Sequence, residues 1–186
     1  MRHLAALLPI ALLAATPLAA AEPVAVPAFR SVELRGGGTV VIRQGPASVT
    51  IRKGSAAFTS FRVDSQGQLK IDACNERCPR NYDLDIEIHY PTVLPVAVKG
   101  GGTIVAESGF GPQREVAAGI AGGGTIDLRS VSSSTAAAGV DGGGRILFGP
   151  SRSLAAAVNG GGEILYSGNP QVTTAIRGGG TVERGE

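Results

Sequence analysis

The sequence predicts an all-β chain wound as a single-stranded parallel β-helix (a β-solenoid) with a strand-rich N-terminal cap. Three observations predict it. Gly-Gly-Gly triplets stand at 36–38, 100–102, 122–124, 142–144, 160–162 and 178–180, so that after the second they recur every 22, 20, 18 and 18 residues. A period of that size marks stacked supersecondary units. The residues two before each triplet (Leu34, Val98, Ile120, Val140, Val158, Ile176) and two after it (Val40, Ile104, Ile126, Ile146, Ile164, Val182) are all aliphatic. That is the period-two alternation of a half-buried strand on each side of a glycine corner. Finally, the 186 residues include 28 glycines, no tryptophan and only 4% aromatics, so Val, Ile, Leu and Ala must fill the interior of a backbone that turns often. A helical reading fails, because each glycine costs about 1 kcal/mol against alanine in a helix.

The N-terminus reads as a targeting segment. Arg2 and His3 are followed by an apolar run, Leu4 to Leu18, interrupted by Pro9 and Pro17, and then by Ala19-Ala20-Ala21. This predicts a signal peptide over 1–21 with Glu22 opening the mature chain. The run is short for a membrane span, no cysteine follows the cut, and no second run of spanning length occurs. A periplasmic, secreted or cell-surface protein without membrane insertion is therefore expected. The formal charge of +2 falls to +1 with loss of Arg2, which carries no nucleic-acid footprint.

Residues 29–99 have a different texture. Strand-like segments fall at Arg30–Leu34, Val40–Arg43, Ser48–Arg52, Phe58–Asp64, Leu69–Asp72, Tyr82–Tyr90 and Val93–Val98, with a turn at Ser65–Gln68. They predict a cap that hides the first open edge of the stack, followed by regular coils over 100–184, all in one domain, 22–186. Cys74 and Cys78 form a C-x3-C loop ending in Pro79. In an oxidising compartment a small disulfide is the plain expectation; free thiols, or a redox or metal role, are the alternatives. The spacing differs from a C-x-x-C redox motif, and no second cluster completes four zinc ligands.

In the regular coils the inward face extends backward from each corner through Val116-Ala118-Ile120, Ala136-Ala138-Val140, Leu154-Ala156-Val158 and Val172-Thr174-Ile176. Forward of the corners, Leu128, Phe148 and Tyr166 share the same parity. Alanine suits an interior whose two walls come close. Each unit is strand, corner, strand, loop, and buries its inner face only by stacking on its neighbours. The triplets suit a corner needing positive φ or close approach between coils; a side-chain-free stripe for ligand contact is the alternative.

Several segments resemble one family. VELRGGGTVVIRQG (Val32–Gly45), QLKID (Gln68–Asp72), DIEIHYP (Asp85–Pro91), VAVKGGGTI (Val96–Ile104) and VNGGGEILYSGNPQVTTAIRGGGT (Val158–Thr181) are similar, in order and spacing, to the putative auto-transporter adhesin head GIN domain family, over roughly residues 29–184. The resemblance implies a right-handed parallel β-helix in an exported bacterial protein, and implies no reaction. The chain departs from the family in its full Gly-Gly-Gly, where a small residue commonly separates two glycines, and in its C-x3-C loop.

A search for chemistry finds few constellations. Asp141 and Glu163 flank the corner in successive coils, where they could approach each other near Arg145; such a pair is what a carbohydrate-active β-helix enzyme would need. Asp83, Asp85, Glu87 and His89 alternate along one strand face, about 7 Å apart, and are expected to pair with Arg43, Arg52 or Arg62 across strands; a divalent-cation or ligand site is the alternative. His89 is the one histidine left after signal removal, so no multi-histidine metal site forms. Calcium rolls, phosphate-binding loops and nucleophile elbows lack their required residues, and no cofactor is expected. Thr39, Thr103, Thr125 and Thr181 repeat just after the corner. Such hydroxyls can hydrogen-bond sugars, though threonine is also a good strand residue. With Asp141 and Glu163 they are the candidate binding residues, and no catalytic residue is assigned. The expectation is a non-catalytic envelope binding or scaffold module for an unknown glycan or protein. The alternatives are a carbohydrate-active enzyme and a self-associating structural protein, the latter because the tail Thr181–Glu186 leaves the last coil's edge open.

Overall fold

The chain spends its backbone hydrogen bonds in two mixed sheets, and successive strands of the repeat region alternate between them. The structure is a computed structural model that describes residues 21–75 and 78–185. The leader expected over 1–21 lies outside these residues, apart from Ala21. No helix and no closed barrel occur among the described residues.

Four strands build the centre of the stack. Strands β2 (Ser31–Gly36) and β3 (Thr39–Gln44) flank the first triplet. Strands β8 (Val96–Gly100) and β9 (Thr103–Ala106) flank the second. Beyond them run β10 (Gln113–Gly122), β11 (Thr125–Leu128), β12 (Ser133–Gly142), β13 (Arg145–Phe148), β14 (Ser151–Gly160), β15 (Glu163–Tyr166), β16 (Gln171–Arg177) and β17 (Thr181–Arg184). The odd members from β9 to β17 pair in parallel in one nine-stranded sheet, and the even members from β8 to β16 in an eight-stranded sheet. Register keeps corner over corner: Gly100 lies against Gly122, Gly122 against Gly142, and Gly142 against Gly160.

The cap accounts for the rest. β1 (Glu22–Pro23) and β4 (Ser48–Lys53) extend the nine-stranded sheet in antiparallel fashion past β7 (Asp85–Tyr90). β5 (Ser60–Val63) closes the eight-stranded sheet antiparallel to β6 (Gln68–Asp72). The hairpin turn between β5 and β6 falls where it was expected. Asp64 takes the amide hydrogens of Gln66 and Gln68 on its carboxylate, and Gly67 has φ 76°. β5 is shorter than the expected Phe58–Asp64, because Phe58 is drawn into a turn by its N–H bond to the Ser55 carbonyl. β7 and β8 likewise begin later than their hydrophobic patterns suggest, at Asp85 and Val96.

Chain order and spatial order differ. β2 sits between β6 and β8, and β3 between β7 and β9. After the first corner the chain leaves the stack, builds the cap through β4, β5, β6 and β7, and returns on the far side of β2 and β3. Regular alternation between the sheets therefore starts only at β8. This excursion fills the long interval between the first two triplets, and the glycine column is unbroken across it, with Gly36 against Gly100.

The core lies between the sheets. Ten of the twelve aliphatic residues flanking the triplets are buried there, with Leu34, Val40, Ile104, Ile126, Ile146 and Ile164 wholly inaccessible. Each such side chain contributes roughly 1.5–3 kcal/mol through removal from water. Ala118, Ala136, Ala138 and Ala156 occupy the inward positions read for them. Only the last repeat departs: Ile176 is 44% exposed and Val172 37%, since no further strand covers β16.

Candidate functional site

The threonines fall into one outward column of the nine-stranded sheet. Parallel register stacks Thr39, Thr103 and Thr125 as direct neighbours and then continues through Arg145 and Glu163 to Thr181. The unbroken hydroxyl row thus ends at Thr125, and Thr181 stands apart from it. Arg145 donates from Nε to Glu163 Oε2 at 2.5 Å, so the two charges that interrupt the row neutralise each other.

Asp141 and Glu163 do not converge. Asp141 projects from β12 in the eight-stranded sheet, where it accepts a hydrogen bond from Asn159 Nδ2 at 3.1 Å. Glu163 belongs to β15 in the other sheet. The two carboxylates thus belong to different sheets, and each is engaged by its own cross-strand neighbour, Asn159 or Arg145, rather than by the other.

The acidic strand β7 meets cations across the sheet, as alternation demands. Glu87 lies 3.1 Å from Arg43 Nε and 3.7 Å from Arg52. Arg43 also reaches Glu107 at 2.8 Å, and Lys53 binds Asp83 at 2.6 Å. His89 is beside Ser48 and Glu87, at 3.5 and 3.8 Å. Arg62, the third expected partner, is on β5 in the opposite sheet and pairs with Asp72 instead. Among the described residues no three metal-ligating side chains come together. Cys74 and Cys78 are joined in a disulfide, with Cα atoms 5.8 Å apart.

One surface feature was not read from the sequence. On the outer face of the eight-stranded sheet, one column runs Ala97, Gly119, Gly139, Ala157, Ala175 and the next runs Ala117, Ala137, Ala155, Thr173. These residues floor two depressions of about 550 and 500 Å³ that share the first column. Lys99, Asp141, Asn159 and Arg177 wall one side, and Ser31, Gln68 and Pro95 close one end. The result is a shallow apolar trough crossing five strands, about 19 Å at the ordinary interstrand spacing, with donors and acceptors on its rim.

The floor is smaller than packing requires. A Cβ added to Gly119 or Gly139 would meet no atom within 4 Å, and neither residue has positive φ. Glycine inside a strand costs roughly 0.5–1 kcal/mol relative to alanine, and outward strand positions ordinarily favour Thr or Val. The signal that could have found this surface was present: the residues between the inward Ala and Val positions are themselves Ala or Gly, where a one-sided sheet should alternate with polar residues.

Residues 96–170 match the family described as "Putative auto-transporter adhesin, head GIN domain", a narrower span than the 29–184 over which motifs resemble it. No curated protein matches the chain. Among solved structures, a putative adhesin from Bacteroides fragilis is similar with TM-score 0.54 and 18% identity, over 89% of this chain and 96% of that one. A putative lipid binding protein from Parabacteroides distasonis has 15% identity and TM-score 0.41, over 90% and 96% of the two chains. A putative adhesin from Parabacteroides merdae has 13% identity and TM-score 0.42, over 90% and 96%. The Bacteroides likeness is one of fold.

Proposed function

We propose that this chain is a non-catalytic, exported binding module of the bacterial envelope, and that the Ala/Gly trough is its recognition surface. The observation that carries the reading is the needless smallness of the floor at Gly119 and Gly139. Sequence features that weaken a strand without serving its packing are expected where function demands them. A flat, rigid floor with a polar rim suits an extended ligand lying along the stack: a glycan strand or an extended protein segment of the envelope. The match of residues 96–170 to an adhesin family supports the same reading, as does the predicted leader. No described helix is long and apolar enough to cross a membrane.

The architecture belongs to this reading. Residues 22–186 form one domain in this proposal, a right-handed parallel β-solenoid in which residues 29–99 make the N-terminal coils and cap and 100–184 the regular coils. Supporting it are the strand-by-strand alternation between sheets and the register offsets, which equal the spacings between successive triplets. Signal removal near Ala21 leaves Glu22, which pairs with Ile51 at the start of β1.

The test is a binding screen of the protein, as processed by the producing cell, against peptidoglycan, lipopolysaccharide and a glycan array. Saturable binding to one class that is lost in Ala137→Lys supports the proposal. Binding unaffected by Ala137→Lys but lost in Thr103→Ala/Thr125→Ala would move the site to the threonine row.

A further inference from the structure

The two ends of the stack are finished differently. At the cap, the sheet edges are β1, which has two residues of which one is proline, and β5, which has four. Brevity and a missing N–H are the usual devices against edge pairing. At the other end both edges are bare among the described residues: β16 pairs only with β14, and β17 only with β15. β16 has seven residues, no proline and no lysine, and every one of its residues is exposed. Val172 and Ile176 on its core-facing side are the large exposed hydrophobic residues of the described chain.

β16 is self-complementary. Antiparallel pairing about a two-fold axis at Thr174 sets Val172 against Ile176 of the second copy, Thr173 against Ala175, and Gln171 against Arg177. Each exposed hydrophobic residue would cover the other, threonine would meet threonine at the centre, and no like charges would face each other, an arrangement favourable to cross-strand pairing. An axis perpendicular to the sheet at Thr174 makes this a pairing of β16 with β16; β17 runs back from the corner only as far as Arg184 and takes little part. A closed, isologous contact follows, whereas head-to-tail growth would require the blunted cap edge.

We propose that the edge strand β16 pairs with β16 of a second copy, giving a two-fold dimer. The contact surface runs only from Gln171 to Arg177. It falls short of the roughly 20–30 residues a side that a standard stable interface uses, so the dimer dissociates on dilution into the micromolar range.

Sedimentation velocity across concentration, joined to cysteine crosslinking, tests this. The native cysteines are bonded to each other and leave no free thiol among the described residues, so an introduced thiol reports only on its neighbours. Thr174→Cys should give a disulfide-linked dimer within the Cα separation of about 4.4–6.8 Å that such a bond requires. Val172→Cys and Ile176→Cys should each crosslink poorly alone, their own copies being about 14 Å apart, yet crosslink efficiently when mixed. A sedimentation coefficient that stays monomeric to about 1 mM, where even a weak association of about 4 kcal/mol would show, would overturn the proposal. So would crosslinking of Thr174→Cys no faster than an exposed Ser65→Cys control, or species larger than a dimer.

Discussion

The three glycines of a triplet hold their places for different reasons. Gly142 has φ +123° and a Cβ there would lie 2.6 Å from the Gly122 carbonyl oxygen. That oxygen accepts the Gly143 amide hydrogen at 3.0 Å, so the corner is itself part of the ladder. At Gly144 the obstacle is the core: a Cβ would lie 2.5 Å from Ile120 Cγ2 and 2.9 Å from the Gly124 oxygen. At Gly143 nothing lies within 4 Å. Gly142→Ala or Gly144→Ala should therefore cost about 2–4 kcal/mol. Gly143→Ala should stay within about 1 kcal/mol, with stabilisation favoured by the reduced freedom of the unfolded chain. Thermal melts of the three variants check this. Both expected causes of the triplets are thus present: positive φ and close approach together at Gly142, close approach alone at Gly144.

At the scale of elements, the β5–β6 hairpin carries a distinct acid signature. Asp64 has its pKa lowered to about 2, first by its hydrogen bond with Lys70 and then by the backbone amides of Gln68 and Gln66. A carboxylate whose pKa falls on folding stabilises the native state above the unfolded value near 3.8, and that stabilisation is lost as pH falls toward about 2. Melting temperature against pH should decline through that window in the native chain, and the decline should be shallower in Asp64→Asn, which begins from a lower stability at neutral pH. The disulfide joins cysteines at a sequence separation of only 4, a loop for which chain entropy gives about 2 kcal/mol at most. Cys74→Ser/Cys78→Ser should lose no more than this, with faster amide exchange confined to the cap. The strands of the cap were legible as hydrophobic alternation, to within a few residues. Their destinations were not: nothing in the pattern of Arg62 reveals that β5 joins the sheet opposite to β7, because alternation specifies a face and leaves the neighbour open.

For the whole molecule, the repeat makes stability nearly one-dimensional, each repeat resting on its neighbours. Ile146, wholly buried in the middle, and Ile176, 44% exposed at the end, both flank glycine corners, the first two residues after one and the second two residues before another. Ile146→Ala should cost about 2–5 kcal/mol, whereas Ile176→Ala should cost less than about 1 kcal/mol; chemical denaturation of both variants tests the gradient. Reading the sequence recovered the repeating strand pairs from β8 onward because each copy of the period confirmed the others. It missed the excursion that leaves β2 between β6 and β8 and β3 between β7 and β9, since that one long spacing between triplets has no second copy to compare with. The trough was missed for a different reason: reading Ala118, Ala138 and Ala156 as core passed over the Ala and Gly residues interleaved with them, whose smallness packing does not explain.

The central claim is that this outward smallness serves recognition, and it is tested most directly by titrating Gly139→Thr against the envelope fraction that the native chain binds. A Cβ at this position meets no atom within 4 Å, and threonine favours strands, so the variant should melt no lower than the native protein. The account predicts that it nonetheless binds at least tenfold more weakly. Unchanged affinity in a variant of equal or greater stability would contradict the assignment of the trough as the binding surface.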